Sequence, residues 1–215
     1  MSVTLIVPIF VGEIMEEMIQ RYLLAFDEIN KMTAISYASV RDEDILSRRD
    51  QLIDDILTFL IKAYKQGIEN VGIMLSYDTE IDINLMYEVI YEVIDGKTFE
   101  DRIFDHLIAD DLNGLQTLAQ SEYHRVYNLA CEDGAWQFAE DDDALSSDVI
   151  KTWNAIVDNV TRDTHLYLNG TSVDLQDEFY TFDGDHAPCP GSFEKASNNV
   201  NCRCWLTYKS VDDDL

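Results

Sequence analysis

An α+β fold is what this sequence predicts: a mostly helical N-terminal body followed by a small module of short antiparallel strands and turns. Three observations predict it. Apolar residues recur at helical spacing through the first 111 residues, short alternating runs fill the last sixty, and a block of acids separates the two halves. At 215 residues and 47% hydrophobic content the chain is long enough, and apolar enough, to bury a substantial core.

The first helix is expected over 13–30, where Ile14, Met18, Tyr22, Leu23, Phe26 and Ile29 share a face. Pro8 and Gly12 make its entry a turn, and 33–41 reads as a connector. A second helix over 42–65 takes Asp42 as N-cap, lines Ile45, Leu52, Ile56, Leu60 and Tyr64 on one side, and closes at Gly67. The run IENVGIML that follows fits a short strand or a buried helix equally well. A third helix spans 81–94 with Gly96 just beyond it. A fourth spans 98–111, opened by a Thr98/Asp101 capping box. Gly114 separates it from a helix over 115–130.

The stretch 132–148, with acids at Glu140 to Asp143, reads as an exposed loop. Trp136 and Phe138 at its edge are candidate partner-binding aromatics, although packing into the core is the commoner fate of such a pair. Residues 149–209 form the strand-and-turn unit. Lys151 and Trp153 alternate on a strand-like run ending at Asp158, and Arg162 and His165 follow at i, i+3 spacing. Gly170 breaks that turn, 173–179 and 200–208 supply two more extended pieces, and 210–215 is an acidic tail. Trp153 and Trp205 are expected on paired strands. The domain limits are thus 1–112 for the helical region and 113–209 for the module.

Charge restricts the partners. Forty-two acidic residues against 15 basic give a formal −27. Affinity for nucleic acid comes largely from Lys and Arg displacing counterions, so little or no direct nucleic-acid binding is expected. A protein partner with a basic face fits better. No secretory signal is read at Met1, and the apolar opening is about half the roughly 20 residues a membrane span needs, so no membrane role is expected.

Four cysteines without an export signal point to thiols or metal ligands. Cys202 and Cys204 face one side of an extended run, and with Cys189 and His165 they compose a chemically reasonable zinc set, with His186 as the rival nitrogen. The spacing argues against it, since Cys-x-Cys sets the Cα atoms about 7 Å apart. The competing reading packs both thiols inward as small hydrophobes, with Arg203 turned out to a carboxylate. No cofactor is otherwise expected. His165 with Asp158 or Asp163 is the general-base arrangement to consider, with Ser172 or Cys189 as nucleophile. The preferred reading makes Arg162 and Asp158 an ion pair and lets His165 donate to a backbone carbonyl, so no enzyme is expected.

Taken in order, Lys151, Trp153, Asp158, Thr161, Arg162, His165, Asn169, Gly170, Asp177 to Phe179, Pro190, Gly191 and Asn201-Cys202-Arg203-Cys204 resemble the C-terminal motifs of the phage Mu gpF-like, or SPP1 gp7-like, head morphogenesis proteins. The helix at 115–130 resembles the one before that module, with Ser121, Glu122 and Arg125 in matching places. The resemblance covers roughly the C-terminal half. It implies a minor head protein of a tailed bacteriophage or prophage, a virion component at or near the portal. Contacts with the portal or major capsid protein, several copies per virion, assembly in the bacterial cytoplasm and a part in DNA packaging or delivery are implied with it. The rivals are a zinc-containing or ADP-ribosyltransferase-like enzyme and an acidic protein that mimics DNA to block a host enzyme.

Overall fold

The computed structural model describes residues 7–39, 44–141 and 148–211. The expected cap Asp42, the acids Asp142 and Asp143, and residues 212–215 of the tail lie outside them. The first helix, α1 (Val7–Ser39), begins earlier and ends later than its periodicity indicates. Pro8 falls in its first turn, where a missing N–H deprives no intrahelical bond, so it opens the helix instead of preceding it. The expected connector is helical because its polar groups find partners. Thr33 Oγ1 donates to Ile29 O at 2.7 Å, Ser36 Oγ to Asp55, and the Tyr37 hydroxyl to Asp110.

Helix α2 (Ile45–Leu75) is capped by Asp44, whose carboxylate accepts from Leu46 N and Ser47 N at 3.1 and 3.2 Å. It runs straight through Gly67 and so absorbs the ambiguous IENVGIML run. Gly67 does not end the helix. A Cβ there would lie 2.4 Å from Tyr127 O and 2.8 Å from the Ala130 Cβ, so this glycine lets two helices approach closely. The turn-off comes at Ser76, which takes the left-handed conformation at φ 52°.

Helix α3 (Ile83–Ile90) is capped by Asp82 and stops short of the expected 94. Beyond it Asp95 and Gly96 both take positive φ, 53° and 74°, and close a tight turn between Ile94 and Lys97. Helix α4 (Phe99–Ile108) starts at the capping box of Thr98 and Asp101, as expected. Helix α5 (Leu112–Asp141) is nearly twice as long as expected and takes in residues 132–141 of the predicted loop. It packs along α2 more extensively than any other two elements pack, and the buried residues of helices and strands form one core.

The module follows. Strand β1 (Val149–Asn154), helix α6 (Asp163–Leu168), strands β2 (Ser172–Asp174), β3 (Phe179–Tyr180) and β4 (His186–Ala187), helix α7 (Ala196–Asn199) and strand β5 (Trp205–Ser210) appear in that order. A three-stranded antiparallel sheet runs β2-β1-β5, and β3 pairs with β4. The tryptophan-bearing segments lie side by side as expected, with Trp153 opposite Leu206 and Asn154 opposite Trp205. Opposed residues share a face, so Trp153 enters the core with Lys151 and Leu206 while Trp205 lies half-buried on the other face. The strands are shorter than expected: β1 ends at Asn154, and Cys202 to Cys204 precede β5. No helix among the described residues is long and apolar enough to cross a membrane.

Candidate functional site

The C-terminal module meets the helical body along α5, and several buried polar residues lie at that seam. Lys151, fully buried on β1, donates from Nζ to both Glu132 oxygens at 3.1 and 3.2 Å and to Pro188 O at 2.9 Å. Tyr208 on β5 donates its hydroxyl to the same carboxylate at 2.8 Å. The ammonium also sits 5.7 Å from the centre of the Phe179 ring. Burial raises the Glu132 pKa, and the Lys151 charge only partly opposes it.

Earlier on the same helix Glu122 receives Arg102 at 2.5 Å and Arg125 at 2.8 Å. Arg125 also reaches Glu92 at 2.7 Å and Val89 O at 2.8 Å. Burial opposes ionisation of Glu122, but the two guanidiniums outweigh it and hold the carboxyl below its ordinary value. Gly191, at φ +92°, lies against this part of α5, where a Cβ would come within 3.0 Å of the Arg125 Cα. The buried Pro190 precedes it.

Trp153 is boxed by Phe179, Phe193 and His165, with ring centres 5.2 to 5.7 Å away. Nδ1 of His165 faces the Cys202 and Cys204 sulfurs at 3.5 and 3.3 Å. All three residues are buried, and their candidate ligand atoms lie within 4.8 Å of one another. The Cys204 N–H points at the Cys202 sulfur at 3.5 Å, and His124 Nε2 lies 2.9 Å from Cys204 O. Burial opposes ionisation of Cys202, yet the Cys204 thiol and the two histidines hold it well below the ordinary thiol value. Cys204, donating to Cys202, is pushed up. The expected fourth member is elsewhere. Cys189 faces Ser192 Oγ at 3.4 Å and does not join the group; burial and the nearby Glu132 push its pKa up. His186, the rival nitrogen, pairs with Glu178 at 2.7 Å.

Two other expectations need correction. Asp158 pairs not with Arg162 but with Arg203, whose Nη2 reaches both carboxylate oxygens at 2.8 Å. Asp158 is held below its ordinary pKa mainly by that bond. Arg162 instead donates to Val200 O. The reason is position: Arg162 caps α6, while Arg203, between two inward cysteines, must point outward as expected. His165 meets sulfur and not a backbone carbonyl. No carboxylate among the described residues reaches it, and Ser172 is engaged with Thr152 at 2.8 Å, so the structure assembles none of the acid–base and nucleophile pairs considered. Trp136 and Phe138 part company: Phe138 is buried edge-on against Tyr77, and Trp136 remains exposed.

One centre escapes a reading of the sequence. Asp185, only 2% exposed, accepts from the backbone N–H groups of His186, Glu194 and Lys195 and from Asn198 Nδ2. An acid in the Asp-Gly-Asp turn resembles ordinary loop chemistry, so only its burial marks it.

Residues 84–207 match the family model described as Phage Mu protein F like protein. The chain belongs to that family of phage head morphogenesis proteins. It is 27% identical over 178 residues to NAD(+)--arginine ADP-ribosyltransferase EFV of Enterococcus faecalis (strain ATCC 700802 / V583), a match covering 82% of this chain and 35% of that protein. It is 31% identical over 90 residues to the minor head protein GP7 of Bacillus phage SPP1, covering 42% of this chain and 28% of GP7. The chain thus spans about a third of the length of the curated relatives it matches. No solved structure matches. The family match opens just inside α3 and closes within β5, so it takes in α5 and every motif residue from Lys151 to Cys204. Helices α1 and α2 lie before it, although α2 shares the core with α5.

Proposed function

We propose that this protein is a minor head protein of a tailed bacteriophage or prophage, acting at or near the portal by binding and without turnover. The family match over 84–207 carries the reading, because it takes in α5 and every motif residue of the module. The relative named a minor head protein supports it. The relative named a transferase does not favour a different reading. Matches of 178 and 90 residues within 215 must overlap, so part of what this chain shares with the transferase it also shares with GP7.

The formal charge of −27 makes a basic face of the portal or major capsid protein the natural counterpart, with slight contact to packaged DNA. The site agrees with a binding role: Lys151, Glu132, Glu122 and Arg125 serve to fasten elements together, and among the described residues no carboxylate orients His165 as a base. Cross-linking mass spectrometry on purified particles tests the reading. Cross-links from this chain to the portal or its neighbours are expected. Particles lacking the polypeptide, or NAD turnover by the purified chain, would overturn it.

A further inference from the structure

We propose that Cys202, Cys204 and His165 bind one zinc ion, with a single water completing the tetrahedron. The claim is independent of the head-protein reading and rests on how these three side chains meet. Zinc bonds of about 2.3 Å to sulfur and about 2.0–2.1 Å to nitrogen, at the tetrahedral angle, place sulfur and nitrogen about 3.6 Å apart. The two sulfurs stand 3.5 and 3.3 Å from His165 Nδ1.

Hydrogen bonding alone accounts poorly for this geometry. An imidazole nitrogen that accepts has one in-plane lone pair, enough for one thiol donor. Here two sulfurs converge on one nitrogen; with Cys204 donating to Cys202, one of the two close contacts carries no proton, whereas both are natural edges of a coordination shell. The Cys204 N–H directed at the Cys202 sulfur is the kind of outer contact that supports a metal-bound thiolate. Nδ1 faces sulfur whether a thiol or a metal lies between, so His165 Nε2, which has no partner among the described residues, does not distinguish the two.

The donor set selects the ion. Two sulfurs and one imidazole favour zinc over magnesium or calcium, which take oxygen. Cys204 and His165 are contributed by segments on either side of the sheet connection, so one ion would clamp α6 to the start of β5. The fourth vertex is available. A cavity of about 10 Å³, lined by the three donors with Thr161 and Asn201, has room for about one water. Arg203 also lines it, with its guanidinium paired to Asp158. Cys189, facing Ser192, is not needed.

The test uses the full chain purified under reducing conditions. Elemental analysis should find about one zinc per chain. Titration with cobalt(II) should give sulfur-to-cobalt charge-transfer absorption and the intense visible bands of a tetrahedral site. Cys202→Ser, Cys204→Ser and His165→Ala should each abolish the cobalt spectrum, and Cys189→Ser should leave it unchanged. Because the cobalt titration reads the unaltered chain, a variant that fails to fold does not decide the matter. Absence of thiolate–cobalt absorption in the unaltered chain overturns the proposal, as does its loss in a folded Cys189→Ser or its survival in Cys204→Ser.

Discussion

Glu122 and Glu132 are the same residue on the same helix, both about 5% exposed, yet their proton affinities move in opposite directions. Each loses water to a similar degree. What differs is the company: Glu122 meets two guanidiniums, and Glu132 meets one ammonium and one phenol. One cation does not offset the desolvation of a buried carboxylate here, and two do. The two centres also fasten different things. Glu122 secures α4, and through Arg125 the end of α3, to α5. Glu132 secures β1 and β5 to α5.

Lys151→Met tests the weaker centre most severely. It leaves Glu132 buried without a cation and should destabilise the fold by about 3–5 kcal/mol at neutral pH. The loss should shrink in acid, where Glu132 takes up a proton. Adding Glu132→Leu should recover most of the loss, leaving the Tyr208 hydroxyl unpartnered at about 1–3 kcal/mol. Denaturant unfolding of both variants measures this, and a double variant no better than the single would contradict it.

Arg125→Met should cost less, about 1.5–3 kcal/mol, because Arg102 still holds Glu122. A cost equal to that of Lys151→Met would show that the count of cations does not explain the contrast.

The pH dependence follows with opposite signs. The folded pKa of Glu122 is depressed, so its contribution is present above the unfolded value of about 4.3 and is lost as pH falls through the folded value. Glu132 is raised in the fold, so its contribution is present below about 4.3 and is lost as pH rises through the folded value. Melting temperatures of Glu122→Gln and Glu132→Gln, followed from pH 3 to about 7, should therefore diverge from the parent in opposite directions. Parallel curves would remove the distinction between the centres.

This contrast also explains what the sequence reveals and what it hides. The strand pairing was legible because Lys151 and Trp153 alternate against Leu206 and Tyr208 with period two, and one shared face suffices to align them. The α4 start was legible because a capping box is local. The length of α5 was not. Glu122, His124, Arg125, Asn128 and Glu132 are all buried, so a reading that places polar residues outside finds no continuous stripe. Gly67 carries a signal shared by helix ends and close helix contacts, and only the position of Tyr127 and Ala130 decides between them. Cys202, Cys204 and His165 could be grouped from alternation and a short turn. Excluding Cys189 needed the path of the chain through β4 and the Pro188 loop, which no local pattern encodes.

The smallest effect belongs to the motif pair that the sequence misassigned. Asp158 and Arg203 form a close ion pair, but each side chain keeps about a third of its exposure, so water and salt screen them. Asp158→Asn should therefore shift stability far less than a change at either buried centre. The carboxylate also accepts from Thr161 Oγ1 at 2.9 Å and Val160 N at 3.1 Å, and an asparagine carbonyl can keep one such bond. Its motif position then reflects the shape of the 158–161 turn more than its charge. If so, Asp158→Ala should cost measurably more than Asp158→Asn, and added salt should leave that difference in place. Equal costs for the two variants, both vanishing in salt, would make Asp158 an electrostatic residue after all.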